Sequence, residues 1–300
     1  MFRAASALAL TSGGLLSMLL ATRTAFAQDA LGAPPPDLAK AAAGPGPAPE
    51  APKIAPSPDG VAAAVSAGGL SSSGNSRLVA FTGAGNFDWR GGKNGLGGSL
   101  VGNYGRSAPP GGDMQTSTEN AQGRVRYDRY LLDDASLFML VTGRHDKFQG
   151  LAFRLNLDPG FKYLLVNRPK TQLWAEAGYD FQYDTRLRAA REVRDEMGVL
   201  IDTLPKHETD HSARVFLGFR HSFNDATAIS NGIEYLQSFV HQKQYRFNYD
   251  VLFTAKVWGN LALGAGFNAR FDNTPLPDKE KLDTTSTLSL VYSYSNVAKE

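Results

Sequence analysis

Apolar and polar residues alternate with a period of two through most of the chain. The clearest example is YRFNYDVLFTAKV at residues 245–257, where the odd positions are apolar and the even ones, except Leu252, are polar. Successive side chains of a strand point to opposite faces, so this pattern predicts a strand with one apolar and one polar face. The alternation recurs in LAFRLNLDPGFKYLL at residues 151–165, QLWAEAGYDFQYD at 172–184 and ARVFLGFRHSF at 213–223.

The alternating pattern divides into about twelve segments. They exceed the usual length of soluble strands and match the roughly 9–11 residues of a tilted membrane strand. Leu151 and Phe153 both fall on the apolar face of the sixth segment. The predicted strands lie near 61–72, 76–90, 95–106, 116–131, 135–147, 150–166, 171–185, 211–223, 226–238, 243–257, 260–272 and 283–294.

The connections between these segments alternate in length. The short ones are GGKN, LDDA, VNRPK, FNDA and WGN, and the longest of the others is RLRAAREVRDEMGVLIDTLPKHETD. Short turns at one end, long loops at the other and an even strand count are typical of outer-membrane β-barrels, whose apolar faces meet lipid. A soluble β-sandwich would show the same alternation, but it explains neither the strand lengths nor the uneven connections. We therefore predict an all-β fold, a transmembrane antiparallel up-and-down β-barrel of about twelve strands over residues 61–294.

The N-terminal segment, residues 1–27, is interpreted as a secretory signal peptide. Arg3 precedes an apolar stretch, and a closing Ala-Phe-Ala predicts cleavage after Ala27. A membrane anchor is the alternative, disfavoured because the apolar stretch is short and interrupted by Gly and Ser. Residues 28–60 hold nine of the sixteen prolines and no aromatic residue, which predicts a disordered periplasmic tail. Residues 295–300 form a short C-terminal extension.

Charge and cysteine content exclude several classes of partner and site. The chain has no Cys, so it has neither disulfides nor thiolate metal ligands. Loss of the signal peptide removes Arg3 and Arg23, which leaves 29 of the 31 basic residues against 29 acidic ones. A balanced charge gives no reason to expect nucleic acid as a partner.

Several quoted segments carry a family resemblance. SSGNSRL at residues 72–78, the run from RYDRYLLDD to GFKYLL within 126–165, LWAEAGYDFQYD at 173–184 and LDTTSTLSLVYSY at 282–294 resemble the salt-induced outer-membrane proteins, a bacterial family built on domain of unknown function 481. The resemblance implies a Gram-negative outer-membrane barrel and no settled activity. Such barrels typically end on an aromatic residue that the barrel-assembly machinery reads, whereas Tyr294 is followed here by SNVAKE.

HETDH at residues 207–211 matches the H-E-x-x-H zinc pattern. Zinc chemistry would require both histidines on one helical face, with Glu208 as general base. Pro205 precedes the motif and strand alternation is established by Arg214, so we expect no catalytic zinc site. A short helix is more plausible upstream, around residues 187–200.

A lipid-facing hydrolase is a second enzyme hypothesis, the less favoured one. His221 is followed by Ser222, but adjacent residues of a strand point to opposite faces and cannot form a nucleophile–base pair. His145 has lipid-facing parity without an identifiable Ser partner. We predict no enzymatic activity, no catalytic residue, no cofactor and no metal.

The inward faces carry the remaining candidate chemistry. The favoured interpretation is a lumen filled by ion pairs, as in a structural or stress-responsive envelope protein. The alternative is a narrow channel for ions or small polar solutes. We expect a monomer in outer-membrane lipid. The predicted lumen-lining residues are Arg124, Arg126, Asp128, Arg144, Asp146, Arg154, Asp158, Lys162, Glu176, Asp180, Asp184, Arg214, Arg220, Glu234, Arg246, Asp250, Lys256 and Arg270.

Overall fold

The computed structural model describes residues 59–73, 77–109, 111–195, 197–275 and 280–295. The predicted signal peptide, its cleavage after Ala27, the predicted tail up to residue 58 and residues 296–300 lie outside the described residues. Within the described part of the chain, no helix is long and apolar enough to cross a membrane.

The described chain is built almost entirely of β-strands. Twelve of them close into one antiparallel barrel in the order β1-β14-β13-β12-β11-β10-β7-β6-β5-β4-β3-β2, while β8 and β9 form a separate two-stranded hairpin. Each barrel strand therefore pairs with its neighbours in the chain, apart from the β7–β10 step across the hairpin and the closing pair. The strands are β1 Gly60–Ser72, β2 Arg77–Gly91, β3 Asn94–Ala108, β4 Gln115–Tyr130, β5 Ala135–Asp146, β6 Leu151–Arg168, β7 Thr171–Arg186, β8 Glu192–Arg194, β9 Leu200–Thr203, β10 His207–Ser222, β11 Thr227–Ser238, β12 Tyr245–Trp258, β13 Leu261–Asp272 and β14 Leu282–Ser295.

This architecture confirms the predicted twelve-stranded barrel. The helix expected at residues 187–200 is wrong, since a single 3₁₀ turn at Ala189–Arg191 leads into the β8–β9 hairpin. The HETDH sequence is the beginning of β10, which starts four residues earlier than predicted. In an extended strand His207 and His211 share a face but lie about 13 Å apart along the chain, too far to ligate one zinc ion as in a helix.

One predicted lipid-facing side chain points the other way. Leu151, expected on the apolar face with Phe153, is only 4% exposed and lines the barrel interior. The pairing register of β6 shifts between Leu151 and Phe153, and that of β5 shifts between Arg144 and Asp146. A bulge of this kind inserts an extra residue and interrupts the alternation locally, a change that the period-two pattern does not reveal.

The outside of the barrel is apolar. Its large exposed side chains lie on alternate positions, as in β14, where Leu288 is 80% exposed and Tyr292 50%. On β12, Phe247 and Phe253 also point outward, about two-fifths exposed. A closed barrel satisfies its backbone groups internally, so this exterior fits the hydrocarbon core of a membrane.

The two ends of the barrel differ. We call one end the short-turn end. Connections of two to four residues there join β2 to β3, β4 to β5, β6 to β7, β10 to β11 and β12 to β13. Gly60 and Ser295 lie at this end, because the paired stretch of β1 and β14 runs from Ala62 opposite Ser295 to Ala67 opposite Leu290. The opposite, long-loop end carries the β8–β9 hairpin.

Candidate functional site: the charged lumen

The even-numbered residues of β12 point into the barrel, opposite the lipid-facing Phe247 and Phe253. Arg246 and Asp250 there contact other inward side chains. The same alternation along the other strands places all eighteen predicted lumen-lining residues on inward faces. Most are buried or half-buried, whereas Arg220 and Lys256, near the short-turn end, are exposed.

A chain of alternating charges crosses the lumen at mid-height. The Arg126 guanidinium donates to Asp128 on its own strand at 2.8 Å and to Glu176 Oε1 at 2.8 Å. Glu176 Oε2 accepts from Arg214 at 2.9 Å, and Arg214 Nε donates to Glu234 at 2.6 Å. Glu176 is 3% exposed and Arg214 3%. We call Asp128, Arg126, Glu176, Arg214 and Glu234 the central chain.

The central chain joins walls that are not adjacent in the sheet. Arg126 lies on β4 and Glu176 on β7, with β5 and β6 between them in the barrel order. The contacts continue from β7 to Arg214 on β10 and to Glu234 on β11. Asn248 on β12 donates to Glu234 at 2.7 Å. Each buried charge therefore faces an opposite one, which offsets much of the desolvation that burial imposes.

Aromatic and aliphatic groups pack below the central chain, towards the short-turn end. Trp174, 1% exposed, packs with Leu164 and Phe216 in one buried cluster. The Arg214 guanidinium lies 5.4 Å from the centre of the Phe216 ring, a cation–π contact that joins this cluster to the central chain. Arg126 makes a similar contact with Phe138, at 4.1 Å. A glycine at 218 is needed because a Cβ there would overlap the Trp174 indole.

A second group of ion pairs lies between the central chain and the long-loop end. Arg154 holds Asp184 with two hydrogen bonds of 2.7 and 2.6 Å, the bidentate geometry of a strong pair. Arg246 reaches from β12 to Asp180 on β7 at 3.4 Å. Arg144 donates to Asp146 at 2.8 Å on its own strand.

The turn between β5 and β6 folds into the barrel mouth. The Gln149 side chain accepts from Arg144 at 3.0 Å and donates to Asp283 Oδ2 at 3.3 Å. Asp283 lies on β14, on the far side of the barrel from β5 and β6. Gln149 therefore spans the lumen near the long-loop end and narrows it.

The remaining wall of the barrel carries small side chains. On β1, β2, β13 and β14 the inward positions alternate with lipid-facing residues such as Phe81 and Leu263, 60% and 54% exposed. Along β2 the inward face is buried at Ala80, exposed at Asn86 and buried again at Arg90, whose guanidinium lies 3.9 Å from the centre of the Tyr130 ring at the short-turn end. Open space therefore lines the middle of this wall. The small inward residues include Ala62, Ala64, Ser66, Thr82, Ala84, Ala262, Gly264, Gly266, Thr287 and Ser289.

A polar cavity of about 280 Å³ occupies the lumen above the central chain. Arg214 and Glu234 form its floor, and Lys281 and Asp283 lie at its long-loop end. A smaller cavity of about 120 Å³ shares Gln149 with it. Charges of both signs line the larger cavity, so it suits a hydrated or charged occupant rather than an apolar one.

Two side chains in this cavity each have one buried polar atom without a hydrogen-bond partner, although Asp158 meets the Asp180 carboxyl and Arg124 lies near Glu234. The Arg124 Nε and Asp158 Oδ1 atoms are buried with no hydrogen-bond partner in the described structure. Arg124 is half-buried and Asp158 is 6% exposed. Sequence reasoning placed both residues in the lumen but gave no sign that they differ from the paired charges.

Four of the five histidines lie on the outer wall, and His241 lies in the connection between β11 and β12. His207 Nδ1 lies 2.8 Å from the Tyr183 hydroxyl, and His211 contacts Tyr179. His145 Nδ1 lies 2.8 Å from the Ala152 carbonyl oxygen. Among the described residues, no cluster of three or more His, Asp or Glu side chains has the arrangement of a metal site.

His221 has a contact that sequence reasoning missed. Its Nδ1 lies 2.8 Å from the hydroxyl of Thr171, which is its cross-strand neighbour on β7. The His221 ring also stacks on Phe219 and meets Phe223 edge-on. These neighbours place His221 in an aromatic cluster at the short-turn end, which agrees with the aromatic girdles found at the interfaces of outer-membrane barrels.

Fold and lumen together define the chain as a transmembrane β-barrel with a charged, partly open interior. The chain belongs to the family described as protein of unknown function, DUF481, whose model matches residues 65–294. This match begins within β1 and ends near the end of β14, so it includes all or most of every barrel strand, in agreement with the resemblance seen in the sequence. No curated protein matches the chain in sequence.

Solved structures similar to this chain are outer-membrane β-barrels. The NanC porin is 12% identical, with a TM-score of 0.42 over 77% of this chain and 97% of that one. An outer-membrane channel from Pseudomonas putida F1 is 12% identical, with a TM-score of 0.45 over 82% and 99%. The translocator domain of the autotransporter NalP from Neisseria meningitidis is 11% identical, with a TM-score of 0.37 over 94% and 97%. Similarity at this level gives no information about the function of this chain.

Proposed function

We propose that this protein is a narrow channel of the Gram-negative outer membrane that passes small charged or polar solutes. The observation that carries the proposal is the cavity of about 280 Å³ inside the lumen, lined by charges of both signs. A barrel with a purely structural role gains nothing from keeping charged side chains around open space, because buried charges destabilise unless fully paired. A water-filled solute path needs such a lining.

The wall of small side chains on β1, β2, β13 and β14 lines the rest of the proposed solute path. Above the central chain the cavity opens towards the long loops, and the inward face of β2 is exposed at Asn86. Arg90, which is buried at the short-turn end, narrows the path there. The bulky ion pairs project from β4–β7 and β10–β12, so the least obstructed route follows β1, β2, β13 and β14. In this orientation the long loops face the cell exterior and the short turns face the periplasm, as is typical of outer-membrane barrels.

The central chain supplies the selectivity barrier. A solute must pass beside Glu176 and Arg214, whose paired charges leave a field of mixed sign across the lumen. Such a barrier favours solutes that carry both charge and hydrogen-bonding groups over bulky apolar ones.

Conductance of the purified protein in planar lipid bilayers tests the proposal. We expect small, discrete current steps, and we expect Asp180→Asn to make them less cation-selective because it removes one negative charge from the cavity lining. The matched control is Glu192→Gln in the exposed β8–β9 hairpin, which should leave selectivity unchanged. Silence of the folded wild-type protein would contradict a channel.

A structural or stress-responsive envelope protein is the second candidate. The central chain favours it, since contacts from β4 to β12 brace the barrel internally. A folded protein that never conducts but stiffens or protects the envelope would fit this role. A catalytic role is not proposed, and neither a cofactor nor a nucleic-acid partner is part of either candidate. Both candidates place a monomer in outer-membrane lipid after insertion by the barrel-assembly machinery.

A further inference from the structure

We infer that the Gln149 side chain, held in a hydrogen-bonded bridge across the barrel mouth, is the size filter of the proposed channel. The inference rests on the proposed channel function and names the residue that limits how large a solute can pass. It is carried by the position of Gln149 between Arg144 on β5 and Asp283 on β14.

The turn between β5 and β6, which carries Gln149, is fixed at both ends. The Lys147 amide donates to the Glu119 carbonyl oxygen on β4 at 3.1 Å, and the Gly150 carbonyl oxygen accepts from the Leu187 amide at 2.8 Å. Gly150 has a φ of 73°, a left-handed conformation that glycine adopts without strain. The backbone therefore holds the Gln149 side chain in one place in the lumen.

The bridge uses both ends of one amide. Gln149 Oε1 accepts from the Arg144 guanidinium at 3.0 Å, and Gln149 Nε2 donates to Asp283 Oδ2 at 3.3 Å. A guanidinium only donates and a carboxylate only accepts, so the two partners fix the orientation of the amide. Arg144 is itself held by Asp146 at 2.8 Å. In the closed barrel order, four strands separate β5 from β14 on one side and six on the other, so the bridge crosses the mouth and does not follow a wall.

The bridge divides the long-loop end of the lumen into two spaces. The cavities of about 280 and 120 Å³ share Phe148 and Gln149 in their linings. The smaller cavity reaches β3 and β4, where Asn103 and Thr118 supply amide and hydroxyl groups. Removal of the Gln149 side chain would join the two spaces into one wider mouth. With the bridge in place, a solute has to fit through one of two narrow openings.

The chemistry of the bridge makes it a filter of size. The Gln149 amide is neutral, and its two partners carry opposite charges. The bridge therefore adds no net charge to the mouth, while pore width and lining groups determine which solutes pass. Compact polar solutes of either sign fit this filter, and bulky ones do not.

Thiol labelling of single-cysteine variants tests the inference without any measurement of conductance. The chain has no Cys, so Thr142→Cys places one thiol in the larger cavity, and Thr203→Cys places one on the exposed β9 as the reference. N-ethylmaleimide and fluorescein maleimide are a small and a bulky probe with the same reactive group. In the refolded protein in detergent, we expect the bulky probe to label Thr142→Cys at least about tenfold more slowly than the small one, after normalisation to Thr203→Cys. Equal normalised rates would overturn the inference.

Substitutions of Gln149 in the Thr142→Cys background locate the filter. Gln149→Ala should raise the labelling rate of the bulky probe by about tenfold and that of the small probe by less than about twofold. Gln149→Glu keeps the size of the side chain but cannot donate to Asp283, whose like charge repels it, so it should also admit the bulky probe. The matched control is Lys147→Ala in the same turn, where the exposed side chain pairs with Glu119, and it should label like the unchanged turn.

The outcomes separate this inference from the proposed channel. An unchanged rate of the bulky probe in Gln149→Ala or in Gln149→Glu would overturn the filter, and conductance of the wild-type protein would then leave the channel standing. A folded protein that never conducts, but in which both Gln149 variants admit the bulky probe, would reject the channel and support Gln149 as the constriction of the mouth.

Discussion

Arg126 and Glu176 form a salt bridge of 2.8 Å although they are fifty residues apart and two strands separate them in the sheet. Glu176 uses its other oxygen for Arg214 at 2.9 Å. One carboxylate thus holds two guanidinium groups, and through them the walls formed by β4, β7 and β10. The barrel is braced from within as well as by its backbone hydrogen bonds.

The first prediction concerns this carboxylate. Glu176→Gln should lower the free energy of unfolding by about 3–5 kcal/mol, because Arg126 and Arg214 would remain buried without their counter-charge. Urea titration of the protein refolded into lipid vesicles measures the change. Glu119→Gln, which breaks an exposed pair with Lys147, should change stability by about 0–1 kcal/mol. Equal effects of the two substitutions would show that the central chain does not stabilise the barrel.

The second prediction concerns the lipid-facing wall. Val251 is an outward residue in the middle of β12, and Val251→Arg should destabilise the barrel by about 2–4 kcal/mol if it lies near the bilayer midplane. The control is Thr284→Arg, an outward position near the long-loop end of β14, where the cost falls to about 0–1 kcal/mol. The same refolding titration applies. A neutral Val251→Arg would mean that this face of β12 does not contact lipid.

The third prediction concerns the packing of Trp174. Gly218→Ala should destabilise the protein by about 1–3 kcal/mol, because the new methyl group overlaps the indole ring and the core must shift. Gly102→Ala, on a barrel strand with open space around its Cβ position, serves as the control and should be nearly neutral. Combination with Trp174→Leu should reduce the penalty of Gly218→Ala, since the overlapping ring is gone. Additive effects of the two substitutions would refute direct overlap.

The fourth prediction concerns orientation. Trypsin added to intact cells should cut at the exposed Arg188 or Arg194, in the long connection between β7 and β10. Lys93, in a short turn at the opposite end, should stay protected until the outer membrane is permeabilised. Mass spectrometry of the fragments distinguishes the two ends. Cleavage at Lys93 in intact cells, with Arg194 protected, would reverse the proposed orientation.

The barrel itself was predictable from sequence, because alternation reports which face of each strand is apolar. The same rule failed at Leu151, where a bulge changes the register without changing the composition. Outside the alternating segments, the helix predicted at residues 187–200 is wrong, because the chain forms the β8–β9 hairpin there. Residues in this loop pack against no barrel core, so burial does not impose a hydrophobic period on them. The helix prediction therefore rested on local propensity alone.

The candidate site was predictable only as a set of inward residues. Alternation places Arg126, Glu176 and Arg214 in the lumen, but their pairing depends on strand tilt and on distances across the barrel. In the sequence, acidic inward residues cluster on β6 and β7 and basic ones on β4 and β5, and this segregation predicts pairing between the two groups. Arg126 and Glu176 follow that expectation, whereas Arg144 pairs within its own strand and Asp184 pairs with a neighbour on β6.

The line along which the barrel closes has a mechanical consequence. β1 meets β14 only from Ala62 to Ala67, whereas β1 pairs with β2 over its whole length, from Gly60 to Ser72. The shorter ladder, with Ala side chains at four of its six positions on β1, offers the least resistance to separation. A pulling force or a rise in temperature would therefore separate β1 from β14 before any other pair of strands. For the same reason, pairing of β1 with β14 would be the last step when the barrel closes during assembly.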